Sequence, residues 1–137
     1  MIVYVDTSAA MKLLVEEKES AELADHLQHR IESGDTLVAS LLLHAELHCA
    51  ANRRPEDIRH EAVSDVLSTI ALVDIESGDL ITAPLLPGRL RSADALHLAA
   101  AVRLLGVPVL RHLLLDAVEE RREAPLLRVQ QIGRAHV

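Results

Sequence analysis

The chain has 137 residues, enough for one domain and little more. Half of it is hydrophobic, yet it has no Phe, no Trp and a single tyrosine, Tyr4, so Leu (25 residues) and Ala (19 residues) must supply most of the core. This content excludes disorder, the missing rings exclude a sheet that stacks RNA bases, and a net charge of −7 excludes holding nucleic acid by bulk basic attraction.

Taken in chain order, Ile2–Val5 reads as a buried strand and Thr7–Glu17 as the helix after it. Ser20–Ser33 reads as a helix with Ser20 at its N-cap and Gly34 at its stop. Thr36–Ala39 is the second strand, and Ser40–Asn52 the next helix. Pro55, a helix-start residue, opens Pro55–Ile70, and Leu72–Ile75 is the third strand. Pro84 and Pro87 break Gly78–Leu90 into a short helix and a loop. Ser92–Leu105 is a helix ending at Gly106, Val107–Leu110 a strand, His112–Glu123 a helix before Pro125, and Leu126–Ile132 a weaker fifth strand. Strands alternating with helices predict a three-layer α/β/α domain whose central sheet of four to five strands is mostly parallel. The domain is expected over residues 1–131. The end of the chain, Gln131-Ile132-Gly133-Arg134-Ala135-His136-Val137, resembles translated sequencing adapter, so 132–137 is set apart as an artefactual tail.

Met1–Asp6 is charged too early for a signal peptide, and no apolar run reaches the ~18–20 residues of a membrane span. The lone Cys49 cannot form an internal disulfide. These features predict a cytoplasmic protein with no membrane partner.

In a parallel α/β sheet, ligands bind at the carboxyl ends of the strands. Asp6 directly follows the first strand, with Thr7 and Ser8 placed to hydrogen-bond it; it is equally well placed as a helix cap. Glu46 has Leu42, Leu43, Cys49 and Ala50 as its helical neighbours, so it projects from an apolar face. Burying a carboxylate there costs several kcal/mol unless a cation or a fixed donor compensates. Asp94 lies in the first turn of a helix capped by Ser92, where the helix dipole favours an acid. Three carboxylates on one edge repel one another unless a hard divalent cation is shared. Mg²⁺ or Mn²⁺ would let an acidic protein hold a polyanion and would activate water against a phosphodiester.

Val3-Tyr4-Val5-Asp6-Thr7-Ser8-Ala9, His44-Ala45-Glu46-Leu47 and Ser92-Ala93-Asp94-Ala95-Leu96-His97-Leu98-Ala99 resemble, in order and spacing, the three motif blocks of PIN-domain ribonucleases, most closely VapC-type toxins. The resemblance covers roughly residues 1–131. It implies a metal-dependent endoribonuclease that cuts particular RNAs, forms a homodimer and is inhibited by a small antitoxin protein. Asp6, Glu46 and Asp94 would then be the catalytic metal ligands for Mg²⁺ or Mn²⁺, with Thr7 or Ser8 bonding those ligands. One departure stands out. The family's fourth acid belongs in a turn after the strand Val107–Leu110, but Arg111-His112-Leu113-Leu114-Leu115-Asp116 follows, as though a few residues were skipped. Asp116 is the nearest substitute, a turn into the helix, and reads more readily as an ordinary helix acid. The alternative is therefore a catalytically impaired module that binds antitoxin or RNA without cutting.

Rival motifs are weaker. His44 and His48 have a spacing that can clamp zinc, but Glu46 lies about 200° round the helix from both and the order His-Glu-x-x-His is absent. They read as solvated or interface histidines. His97, one turn beyond Asp94, could touch substrate, pack or cap. A phospho-receiver needs a late Lys, whereas Lys12 and Lys18 are the only lysines; no Gly-rich phosphate loop is present. Arg89, Arg91 and Arg111 flank the expected site and are the candidates for gripping phosphates.

Overall fold

Continuous burial on both faces of the two central strands organises the molecule. In the computed structural model, residues 1–105 and the backbone of 129–132 are described. Strand β1 (Ile2–Val5) lies parallel to β2 (Thr36–Ser40), which lies parallel to β3 (Ala71–Val73). Strand β4 (Val129–Ile132) pairs antiparallel with β1, giving the order β3-β2-β1-β4. The expected mostly parallel sheet is found. Ile132, the last residue of the expected fifth strand, pairs with Ile2.

Side chains on successive strand residues point to opposite faces. Val3, Val5, Leu37 and Ala39 face one apolar core, while Tyr4 and Val38 face another. The first core is completed by α1 (Thr7–Leu14), α2 (Ser20–Glu32), α3 (Leu42–Arg53) and α4 (His60–Ser68). Leu23, Leu43 and Leu47 are fully buried there, each worth about 1.5–3 kcal/mol of transfer free energy. The opposite face is covered by α6 (Ser92–Leu105) through Ala101, Leu104 and Leu105. The small Ala99, Ala100 and Ala101 let α6 approach closely. Three layers result, as the alternation of elements predicts.

Local differences have local causes. Helix α2 begins at Ser20, but Glu19 occupies the N-cap; the Ser20 hydroxyl instead bonds the Val15 carbonyl and the Glu17 amide. Its end is the expected one. Gly34, at φ +87°, follows the C-cap, and Asp35 N–H donates to the Arg30 carbonyl while Gly34 N–H donates to Ile31. Pro55 does not open a helix. Asp57 and Ile58 amides both donate to the Arg54 carbonyl in a turn, and α4 starts only at His60. Ser40 ends β2, and its hydroxyl accepts from Leu42 N–H ahead of α3. The broken 78–90 segment is α5 (Ser77–Thr82) followed by a 3₁₀ turn, Ala83–Leu85. The expected strand Val107–Leu110 and helix His112–Glu123 lie outside the described residues.

One polar bond set locks α5 to α6. Asp79 is 2% exposed and receives Arg103 Nε at 2.9 Å and a second guanidinium nitrogen at 3.0 Å. It also accepts from Glu76 N–H in a capping box at the start of α5. Arg103 further donates to the Asp74 carbonyl.

Candidate active site

The carboxyl end of β1 meets α3 and α6 at a chain of hydrogen bonds. Tyr4 points through the sheet face that α6 covers, and its hydroxyl lies 2.8 Å from His97 Nδ1. The Ser40 backbone N–H donates to the same phenol oxygen at 3.0 Å. Across the ring, His97 Nε2 lies 2.6 Å from Glu46 Oε1. Thr7, the first residue of α1, donates to that oxygen at 2.7 Å and lies 3.0 Å from His97 Nε2.

Glu46 is at the margin of the apolar stripe, not inside it. Leu43 and Ala50 are buried, Leu42 is half-buried and Cys49 is exposed, so a quarter of the Glu46 side chain stays in contact with solvent. Burial alone would raise its pKa. The bonds from His97 and Thr7 outweigh that and hold the carboxyl below its ordinary value. The fixed donor expected for Glu46 is thus present in duplicate. Burial pushes the Tyr4 phenol well up, aided by the charges of Asp6, Asp79 and Glu46, so Tyr4 stays a donor.

Asp6 is the N-cap of α1: its Oδ1 accepts from Ala9 N–H at 3.0 Å and from the Ser8 hydroxyl at 3.2 Å. It therefore does serve as a cap, at the carboxyl end of β1. Asp94 is exposed in the first turn of α6, one turn before His97 and so on the same helix face. Arg89 and Arg91 are exposed just ahead of it. Asp116 and Arg111 lie outside the described residues. The structure joins Glu46 to Thr7 directly, with Asp6 next along the chain and Asp94 a turn above His97. Among the described residues, no three His, Cys, Asp or Glu side chains close into a group able to hold a metal by themselves.

Comparison with known proteins sets this geometry in a family. The family model described as "PIN domain" matches residues 3–113. The chain belongs to the PIN-domain family. Three relatives from Mycobacterium tuberculosis are similar to this PIN domain. "Ribonuclease VapC47" (strain CDC 1551 / Oshkosh) is 32% identical over 104 residues, 75% of this chain and 76% of the relative. "Ribonuclease VapC46" (strain ATCC 25618 / H37Rv) is 37% identical over 103 residues, 74% and 75% of the two chains. "Ribonuclease VapC35" is 38% identical over 102 residues, 73% of each. No solved structure matches the chain.

The sequence names His97 without its partners and gives Tyr4 no role in the candidate site. His97 is 4% exposed and engaged at both ring nitrogens, which settles it as a buried bonding partner. Its position three residues after Asp94 was the one available signal. Tyr4 counted only as the lone aromatic, with no hint that it meets a residue 93 positions away.

His44 and His48 form a cluster with His60 on the surface where α3 meets α4. The rings of His44 and His48 are 4.6 Å apart, and His48 stacks on His60 at 5.0 Å. His60 Nε2–H donates to Asn52 Oδ1 at 2.9 Å, so its Nδ1 accepts from His48 Nδ1–H at 2.7 Å. His44 and His60 are exposed and His48 is half-buried, and the three rings bond one another and Asn52. Burial, with His44 and His60 as like charges, lowers the His48 pKa below its ordinary 6.5. A base whose folded pKa is depressed contributes stability that is present above the unfolded value and lost as pH falls through the folded one. Thermal melts of the wild type are therefore expected to hold near pH 7–8 and decline below about pH 6.5, and His48→Gln should flatten part of that decline. An unchanged slope in the variant would remove His48 as the cause.

Proposed function

We propose that this PIN domain is a divalent-metal-dependent endoribonuclease acting as the toxin of a toxin–antitoxin pair in the cytoplasm. The observation that carries the reading is Glu46, held as an anion by Thr7 and His97 at the carboxyl edge of the sheet. The printed names of the relatives, all ribonucleases, point the same way. Single Cys49 suits a reducing compartment, and among the described residues no helix is long and apolar enough to cross a membrane.

Asp6, Glu46 and Asp94 would hold the ion, either Mg²⁺ or Mn²⁺. Their chemistry fits: all three present hard carboxylate oxygens, and both described bonds to Glu46 end on Oε1, which leaves Oε2 for a cation. When bound, such an ion polarises a phosphoryl oxygen and makes water a nucleophile near neutral pH. Thr7 and Ser8 orient the carboxylates by hydrogen bond. Arg89 and Arg91, both exposed beside Asp94, would grip flanking phosphates, with Arg111 as a further candidate. Asp116 is at most an auxiliary ligand, so one ion suffices for the reading. Leu80, Ile81 and Leu85 expose 57%, 69% and 77% of their surface around α5, and this apolar patch suits a second copy of the chain or a small antitoxin protein.

A specific observation keeps the impaired module as a second reading, because the described residues do not close into a metal-holding group. The two separate in one assay. Purified protein incubated with total RNA and Mn²⁺ is expected to yield discrete fragments, and EDTA to prevent them. Intact RNA with retained binding would instead establish a module that binds without cutting.

A further inference from the structure

We propose that Tyr4 and His97 are a positioning pair: a one-way hydrogen-bond chain from the β2 backbone fixes the His97 tautomer and so aims an N–H at Glu46. The consequence for metal binding rests on the reading above; the chain itself does not.

Direction follows from donor counting. The Ser40 N–H can only donate, and it occupies the Tyr4 oxygen at 3.0 Å. Glu46 can only accept, so the ring hydrogen belongs on Nε2, and His97 Nδ1 is left to accept the phenol hydrogen of Tyr4, 2.8 Å away. A neutral imidazole carries its hydrogen on the other nitrogen in that case. That nitrogen, Nε2, lies 2.6 Å from Glu46 Oε1 and 3.0 Å from Thr7 Oγ1. Thr7 spends its own hydrogen on the same carboxylate oxygen. Reversing the tautomer would set the Nε2 lone pair against the carboxylate and leave two acceptors facing across 2.6 Å.

The ring cannot easily escape this choice. His97 is 4% exposed and Tyr4 is 4% exposed, with the two rings edge to face at 5.9 Å and 75°. Glu46, by contrast, sits at the rim of its helix stripe, where a long side chain would otherwise sample several rotamers. The chain ties four elements, β2, β1, α6 and α3, to one carboxylate oxygen, with the other oxygen outside these bonds. Tyr4, buried behind His97, thereby sets how Glu46 is presented.

The test uses the full, metal-free chain with ¹⁵N-labelled histidine. Long-range ¹H–¹⁵N correlation at neutral pH should show His97 as a single Nε2–H tautomer, its signal assigned by its loss in His97→Gln. Tyr4→Phe keeps the carboxylate at Nε2 but removes the donor at Nδ1, so a second ring form should appear beside Nε2–H. An Nδ1–H or doubly protonated ring in the wild type, or an unchanged population in Tyr4→Phe, overturns the proposal. Mn²⁺ affinity by calorimetry supplies the second arm. His97→Ala is expected to weaken it about 10–100-fold, as for other partners that orient a ligand, and His97→Gln to recover much of the loss by donating from a similar position. Equal affinity in His97→Ala, or a loss in His97→Gln as large as in His97→Ala, also overturns it, since packing alone would then suffice. If His97→Ala does not fold, Tyr4→Phe and His97→Gln carry the test. A wild type that binds no Mn²⁺ overturns the metal reading, while the tautomer still decides the positioning pair.

Discussion

Asp6→Asn is expected to lower RNA cleavage more than about a hundredfold while leaving the folded state almost unchanged. Loss of a partner that merely orients a metal ligand costs about 10–100-fold, and loss of a ligand's charge costs more. Stability should hold because the two roles of Asp6 separate. As N-cap it presents one oxygen to Ala9 N–H, and Asn caps a helix about as well as Asp. Urea unfolding of Asp6→Asn should therefore stay within about 0.5 kcal/mol of the wild type. Asp6→Ala should lose cleavage and about 1 kcal/mol of cap as well. Undiminished cleavage by Asp6→Asn would sink the assignment of this edge as the catalytic one.

The second large effect lies away from the chemistry. Arg103→Met should destabilise the fold by about 3 kcal/mol, the low end for breaking a buried pair, because Arg103 itself is partly exposed. The damage comes from Asp79, which is 2% exposed and would be left as a buried carboxylate without its guanidinium. Arg103 is what chiefly holds the Asp79 carboxyl below its ordinary range, against burial. Replacing both, as Arg103→Met with Asp79→Leu, should recover part of the loss, since no charge is then stranded. A single-variant change within about 0.5 kcal/mol would show that water reaches Asp79 on opening. Because α6 carries Asp94 and His97, a loosened α5–α6 junction is also expected to reduce cleavage modestly.

What was legible in the chain was local. Ile2–Val5 and Ser92–Leu105 are found at the expected bounds, because an apolar run and its flanking polar residues act within a few positions. Pro55 misled, since the helix-start preference of Pro competes with a turn closed by the Arg54 carbonyl, and the turn won. The need to compensate Glu46 was readable from its apolar neighbours. The identity of the donor was not, because His97 is 51 positions away and only the packing of α6 over β1 brings it there. The Asp79–Arg103 pair escaped for the same reason: neither residue breaks a pattern in its own helix. Periodicity shows which face a side chain takes, and tertiary packing decides whom it meets.

A last consequence concerns observation. The chain's only aromatic residue is Tyr4, and it sits bonded to His97, one ring away from Glu46. Tyrosine emission is sensitive to what accepts its hydroxyl hydrogen, and here a single fluorophore reports from a single place. Cation titration, RNA engagement and unfolding can each be followed as a change in native light output, with no label and no competing signal. The same scarcity of rings that denies this protein base stacking makes its candidate active site optically self-reporting.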